Sequence, residues 1–286
     1  MGRLAMNEMT TFRWSFEEDV EHYVAAGFSE VGVWRQKLSD YGEEKGVELL
    51  AEHGLAVSSV CWAGGFTGSD GWSHEESIHD ARQAVELAAA IRAHCLVVHS
   101  GARGLHTQNH VRRLLHQAID ALLPLAESLH VTLALEPMHP AAGAKWTFLT
   151  DFDGALRFAS SYRSQYLKLV LDCYDWGRCE ALHQRLEQIV PQLALVQLAD
   201  GKDSPTGDGN RCLLGTGAVP LPRIVSQLMD AGYDGPFEVE LLGEEIELCD
   251  YDQLLDDSLR LLQRWTARTG TRPGGVAGAH PSRTES

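Results

Sequence analysis

The sequence predicts a single-domain α/β protein, a closed (β/α)8 TIM barrel. Three observations carry that prediction. Eight short apolar or β-prone runs alternate with helical segments, the pattern of a parallel sheet with crossover helices. Several of the runs are continuously apolar, as strands covered on both faces must be. The length of 286 residues suits one such barrel, typically ~250 residues plus insertions. An open doubly wound sheet is the alternative. Against it, the first turn lacks a Gly-x-Gly-x-x-Gly signature and the chain has no Walker sequence.

The elements follow in chain order. Leu4 to Thr11 is a weak first strand, then Phe16 to Ala26 is a helix stopped at Gly27. Ser29 to Trp34 is strand two, and Glu43 to His53 a helix stopped at Gly54. Ala56 to Trp62 is strand three; a glycine-rich loop and an alanine-rich helix from Glu75 to Ala93 follow it. Cys95 to His99 is strand four. Thr107 to Leu129 is helical, with Pro124 predicting a kink or two segments. Strand five is Val131-Thr-Leu-Ala-Leu135, running into Glu136 and stopped by Pro137. Alternation puts Thr132, Ala134 and Glu136 on one face and Leu133 and Leu135 on the other. Asp151 to Tyr162 is a helix with Thr150 or Asp151 as N-cap. Leu167 to Leu171 is strand six, Glu180 to Val190 a helix, and Leu193 to Leu198 strand seven. Leu221 to Ala231 is a helix with Pro222 in its first turn. Pro236 to Leu242 is strand eight, and Asp250 to Ala267 the closing helix. The barrel domain therefore spans residues 1–268, and 269–286, rich in Gly, Pro, Ser, Thr and Arg, reads as a disordered tail.

Composition narrows the partners. Lys and Arg number 24 against 40 Asp and Glu, a formal net charge of −16. Such a chain repels nucleic acid and anionic membrane, and it carries no basic stripe. Six cysteines without a Cys-x-x-Cys pair read as free thiols rather than a disulfide framework. With no signal peptide and no apolar run near 18 residues, a soluble cytoplasmic protein is expected.

Four consecutive strand ends carry oxygen ligands: Glu136, Asp172, Gln197 and Glu240. In a closed barrel these fan around the axis and converge at the carboxyl-end mouth, where such folds keep their chemistry. One acid at a strand end is unremarkable; four oxygen donors at successive ends are not. Three carboxylates in one site repel one another unless a cation sits between them. An all-oxygen set favours one divalent cation, Mn2+ or Mg2+, with Co2+ or Zn2+ as alternatives.

At this point the chain resembles the xylose-isomerase-like sugar phosphate isomerases and epimerases, whose barrel is shared with endonuclease IV. The resemblance spans residues 4 to 268. It is carried by Ala134-Leu-Glu-Pro-Met-His139, Leu171-Asp-Cys-Tyr174, Val196-Gln-Leu-Ala-Asp200, Asn210-Arg-Cys-Leu-Leu-Gly-Thr-Gly217 and Ala231-Gly-Tyr-Asp-Gly-Pro-Phe-Glu-Val-Glu240. It implies metal ligands of Glu, Asp, His and Glu type, falling here on Glu136, Asp172, Gln197 and Glu240. Gln197 stands where His is commonest, as in some dehydroshikimate-dehydratase-like members. Asp175 replaces a substrate-contacting His frequent three residues after the strand-six Asp. The resemblance implies a small polyol or keto-sugar substrate, with Glu136 and Glu240 exchanging a proton beside a carbonyl through a metal-stabilised enediolate. Isomerisation and epimerisation of a sugar, keto-sugar or inositol-derived ketone need the same parts. A dehydration of a dehydroshikimate-like or inosose-like substrate, encouraged by Gln197, is the second reading, and a non-catalytic sugar-binding barrel the third. A DNA-repair nuclease would need a histidine-rich zinc cluster and a basic groove, which the sequence lacks. Members are often dimeric or tetrameric; no interface signature decides this for the present chain.

Other mouth residues each have two readings. His99 is either a substrate or orienting contact or a satisfied core histidine, and His139 either a pocket contact or a loop histidine. Trp34 and Trp62 can wall a sugar ring or simply pack. The resemblance gives Arg211 a contact to substrate or a neighbouring subunit. Lys145, Lys202 and Arg35 fall in top-side segments, as pocket cations or as solvated ones. Asp200 is expected to brace the site or cap its loop. Lys168 and Glu238 are expected to pair inside the barrel, because strands six and eight feed the same interior layers.

Overall fold

The computed structural model describes residues 2–207 and 209–267; the tail expected from 269 onward lies outside them. Eight parallel strands form a closed barrel in chain order: β1 (Arg3–Asn7), β2 (Glu30–Trp34), β3 (Ala56–Gly64), β4 (Cys95–His99), β5 (Thr132–Leu135), β6 (Leu167–Asp172), β7 (Leu193–Leu198) and β8 (Pro236–Val239). β8 closes on β1, with Leu4 opposite Phe237 and Met6 opposite Val239.

Side-chain alternation divides the interior into two cores. A small one, including Cys95, Val97, Ala134, Val170 and Ala194, fills the barrel. A large one, including Leu133, Leu135, Leu169 and Leu171, lies between the strands and the helices. Small residues face the axis because eight strands leave an interior just wide enough for side chains. The same alternation sends Glu136, two residues beyond Ala134, toward the axis.

Local chemistry sets the helix ends. Ser15 and Ser73 each form a reciprocal capping box, with Glu18 and Glu76, and Asp151 and Asp250 cap their helices through backbone N–H groups. Gly27 at φ 98° and Gly54 at φ 65° end theirs in the left-handed conformation. Pro124 sits within one helix, Gln108–Leu129, not between two. The expected Glu180 to Val190 helix is instead two short turns, Glu180–His183 and Leu186–Ile189. Strands one and eight stop early, at Asn7 and Val239, so Glu240 lies one residue past its strand. Short helices at Arg35–Tyr41, Pro140–Gly143, Cys173–Trp176 and Glu244–Glu247 follow strand ends without sequence periodicity to announce them. Among the described residues no helix is long and apolar enough to cross a membrane. All six cysteines are free.

The expected Lys168–Glu238 pair is not formed. Asp172 lies opposite Gln197, and Gln197 opposite Glu238, so Glu238 is level with Asp172. Lys168 is four residues lower on β6, ~13 Å away along the strand. Glu238 accepts instead from Asn7 Nδ2 (2.7 Å), Ser58 Oγ (2.5 Å) and Ser59 Oγ (2.8 Å).

Candidate active site

The four strand-end donors are all withdrawn from solvent: relative exposure is 4% for Glu136, 0% for Asp172, 1% for Gln197 and 6% for Glu240. Glu136 and Glu240 leave their strands still in sheet pairing, their N–H groups donating to Val98 O (3.1 Å) and Leu198 O (3.3 Å). Asp172 ends β6 and accepts the Tyr174 N–H through Oδ1 (2.7 Å), capping the short helix that follows. β5 and β8 enclose β6 and β7, so the two glutamates flank the other two donors.

Carboxylates this buried need positive charge, and Arg211 brings it. Its Nη2 donates to Asp172 Oδ2 (2.6 Å) and reaches Glu240 Oε2 at 3.4 Å. Its guanidinium lies 5.0 Å over the Tyr174 ring. Burial raises the pKa of Asp172 and Glu240; Arg211 opposes the rise, and the charge on Glu136 adds to it. Burial works against the arginine's own charge, but Asp172, Glu240 and Asp175 outweigh it and hold its pKa above the ordinary value. Asp175 faces the same space with Oδ1 unpartnered. Burial, then Asp172, pushes its pKa up to about 8, against Arg211.

On the other flank, His99 Nε2 meets Glu136 Oε2 at 2.8 Å. Trp62 stacks on the His99 ring (centroids 5.5 Å apart, 25° between planes), and Trp146 packs its edge against Trp62 (5.5 Å, 80°). These groups enclose a cavity of about 260 Å³. Trp62, His99, Glu136, Asp175, Arg211 and Glu240 line it, while Asp172 and Gln197 sit behind the lining.

The donor set suits a divalent cation. Gln197 Oε1 is buried without a hydrogen-bond partner, and the guanidinium of Arg211 stands where positive charge is required. As the side chains are placed, however, no group of three His, Cys, Asp or Glu among the described residues is disposed to hold a metal ion.

Not every expected residue reaches the cavity. His139 turns away, and its Nδ1 accepts the Ala141 N–H (3.3 Å) at the start of Pro140–Gly143. Trp34 and Lys145 line an adjoining chamber. Lys202 pairs with Glu245 (2.5 Å) and Arg35 with Asp80 (2.8 Å), which leaves Arg211 as the lysine or arginine lining the cavity among the described residues. Sequence reasoning passed over Met9, Met138, Tyr174 and Thr206, which also line it. Met138 and Tyr174 each stand two residues past a strand-end acid, a signal that could have found them.

A family model described as xylose isomerase-like TIM barrel matches residues 20–265. The inosose isomerase of Halalkalibacterium halodurans is 23% identical over 258 residues, 85% of this chain and 89% of that protein. Protein SMc04130 from Sinorhizobium meliloti 1021 has a similar solved structure, with a TM-score of 0.85 at 23% identity over 92% of this chain and 98% of that one. The IOLI protein, solved with a bound zinc atom, gives a TM-score of 0.79 at 19% identity over 92% and 97% of the two chains. The two structural likenesses establish the fold.

Proposed function

The chain belongs to the xylose isomerase-like TIM barrel family, and from that premise we propose that it is a divalent-metal-dependent isomerase or epimerase of a sugar, keto-sugar or inositol-derived ketone. The observation that carries this reading is the pair of glutamates bordering one small cavity, each held by a different partner. Glu136 and Glu240 act as the two proton-transfer groups, removing and returning the hydrogen on the carbon beside the carbonyl. His99 fixes the orientation of Glu136. Arg211 supplies positive charge where the enediolate oxygen develops. Trp62 and Trp146 flank the ring. Glu136, Asp172, Gln197 and Glu240 would hold a divalent cation, Mn2+ or Mg2+, which would supply a Lewis acid for the carbonyl oxygen.

A second reading, a dehydratase, rests on Asp175. A carboxyl whose pKa burial raises and which faces the cavity is placed to hand a proton to a leaving hydroxyl.

The test is to incubate the purified enzyme with inosose-like ketones and keto-sugars in D2O. Wild type incorporates deuterium beside the carbonyl of at least one of them. Glu136→Gln and Glu240→Gln each lower the rate by about 10²–10⁴-fold. Loss of water with an enone product identifies the dehydratase. A panel that neither exchanges nor dehydrates sinks both readings.

A further inference from the structure

The space at the barrel mouth does not end at Trp62. A second chamber of about 550 Å³ adjoins the first and shares Cys61, Trp62, His99 and Trp146 with it. The Trp62–Trp146 pair is thus the neck between two spaces, not the back wall of one. The chamber is built above the loop that follows β3. Gly64 lies so close to β4 that a Cβ there would fall 1.9 Å from the His99 carbonyl oxygen, and its φ of 134° suits glycine.

The walls of this chamber have a definite chemistry. Trp34, Trp62, Trp72 and Trp146 all face it. Trp72 and Trp146 are 53% and 45% exposed, so packing in the core does not account for either. Between the indoles stand hydrogen-bonding groups. Arg35 is gripped by both oxygens of Asp80 (2.8 and 2.9 Å) and donates to Trp62 O (3.1 Å), and Asp70 and Lys145 lie at the rim. Flat apolar faces interleaved with fixed donors and acceptors match a sugar ring, which offers C–H faces and equatorial hydroxyls. A wholly aromatic group would leave the polar pairs unused. A phosphate would meet Asp70, Asp80 and Glu43.

We propose that the substrate is a two-ring glycoside, with the reacting keto-sugar in the first chamber and its second sugar ring across the Trp62–Trp146 neck in the second. The assignment of the reacting ring rests on the function proposed above; the second subsite rests on the chamber itself.

Equilibrium binding to the full chain, followed by titration calorimetry, tests this without turnover. The probes are D-glucose and four glucose disaccharides: maltose, cellobiose, laminaribiose and sophorose. At least one disaccharide binds 10-fold or more tighter than glucose, about 1.4 kcal/mol. Trp72→Ala, at an exposed position, melts with wild type yet brings that disaccharide back to the affinity of glucose. Trp72→Phe recovers part of the gain. Disaccharides that bind no tighter than glucose, or fail to bind at all, overturn the proposal, as does a gain that survives in both Trp72→Ala and Trp146→Ala. A disaccharide preference without any exchange or dehydration in D2O would remove the proposed reactions and leave the subsite standing.

Discussion

Glu136, Asp172 and Glu240 lie buried at one barrel mouth, and charge repulsion among them is relieved by Arg211. In the metal-free protein, removing the guanidinium leaves two of these carboxylates without a counter-ion. Arg211→Ala therefore costs about 3–5 kcal/mol of stability, and added Mn2+ recovers much of the loss, because the ion restores the missing charge. A calorimetric melt with and without Mn2+ reads this; a variant that melts with wild type under both conditions contradicts it. Here sequence reasoning reached the acids, and it named Arg211 only as a contact for substrate or a neighbouring subunit, not as their partner. Each acid closes a strand that periodicity can find. Arg211 comes from the stretch between Leu198 and Leu221, where no periodicity says which way a side chain turns. For the same reason His139, next to the cavity in sequence, spends its ring nitrogen on a helix cap.

At the scale of elements, that long stretch is held by Asp200. Its carboxylate accepts the N–H groups of Gly201 (2.8 Å), Gly215 (2.9 Å), Gly217 (3.0 Å) and Val219 (3.1 Å). Its own carbonyl accepts from Cys212 (3.0 Å), next to Arg211. The expected loop-capping role of Asp200 is therefore met. Asp200→Asn turns one acceptor into a donor facing N–H groups. It costs about 1–3 kcal/mol and lowers kcat more than it raises KM, since the stretch that carries Arg211 loosens at Gly215, Gly217 and Val219; an unchanged melt and kcat would refute this. A second buried network ties the start of the barrel to its first helices. Glu8 Oε2 accepts the Trp34 N–H (2.7 Å), Oε1 has no partner, and Lys37 is taken by Asp19 (2.5 Å). Burial first, then the charge on Asp19, raises the Glu8 pKa well above its ordinary 4.5. The folded state then holds a proton that the unfolded chain gives up above pH 4.5, so the Glu8 contribution falls as pH rises from there until the folded pKa is passed. Glu8→Gln keeps the neutral form and lacks this decline. Urea melts from pH 5 to 9 should show the variant gaining on wild type as pH rises; parallel profiles would contradict it.

The molecule as a whole was legible where it repeats. Eight alternating strand and helix runs gave the strand count, the closed parallel order and the inward face of Ala134 and Glu136, and the helices from Phe16 and Glu43 hold their expected bounds. Register was not legible, because a shift between strands leaves each strand's own pattern unchanged; hence the Lys168–Glu238 expectation failed. The one-turn helices at the mouth were missed because four residues are too few to show a period. Both scales meet in the proposed metal site, where Glu136, Asp172, Gln197 and Glu240 come from four consecutive strand ends. Divalent metal content of the purified protein, measured beside Glu136→Gln, tests it most directly. The account predicts one equivalent of Mn2+ or Mg2+ per wild-type chain and its loss in the variant. A wild-type chain that takes up no metal after incubation with Mn2+ would contradict it.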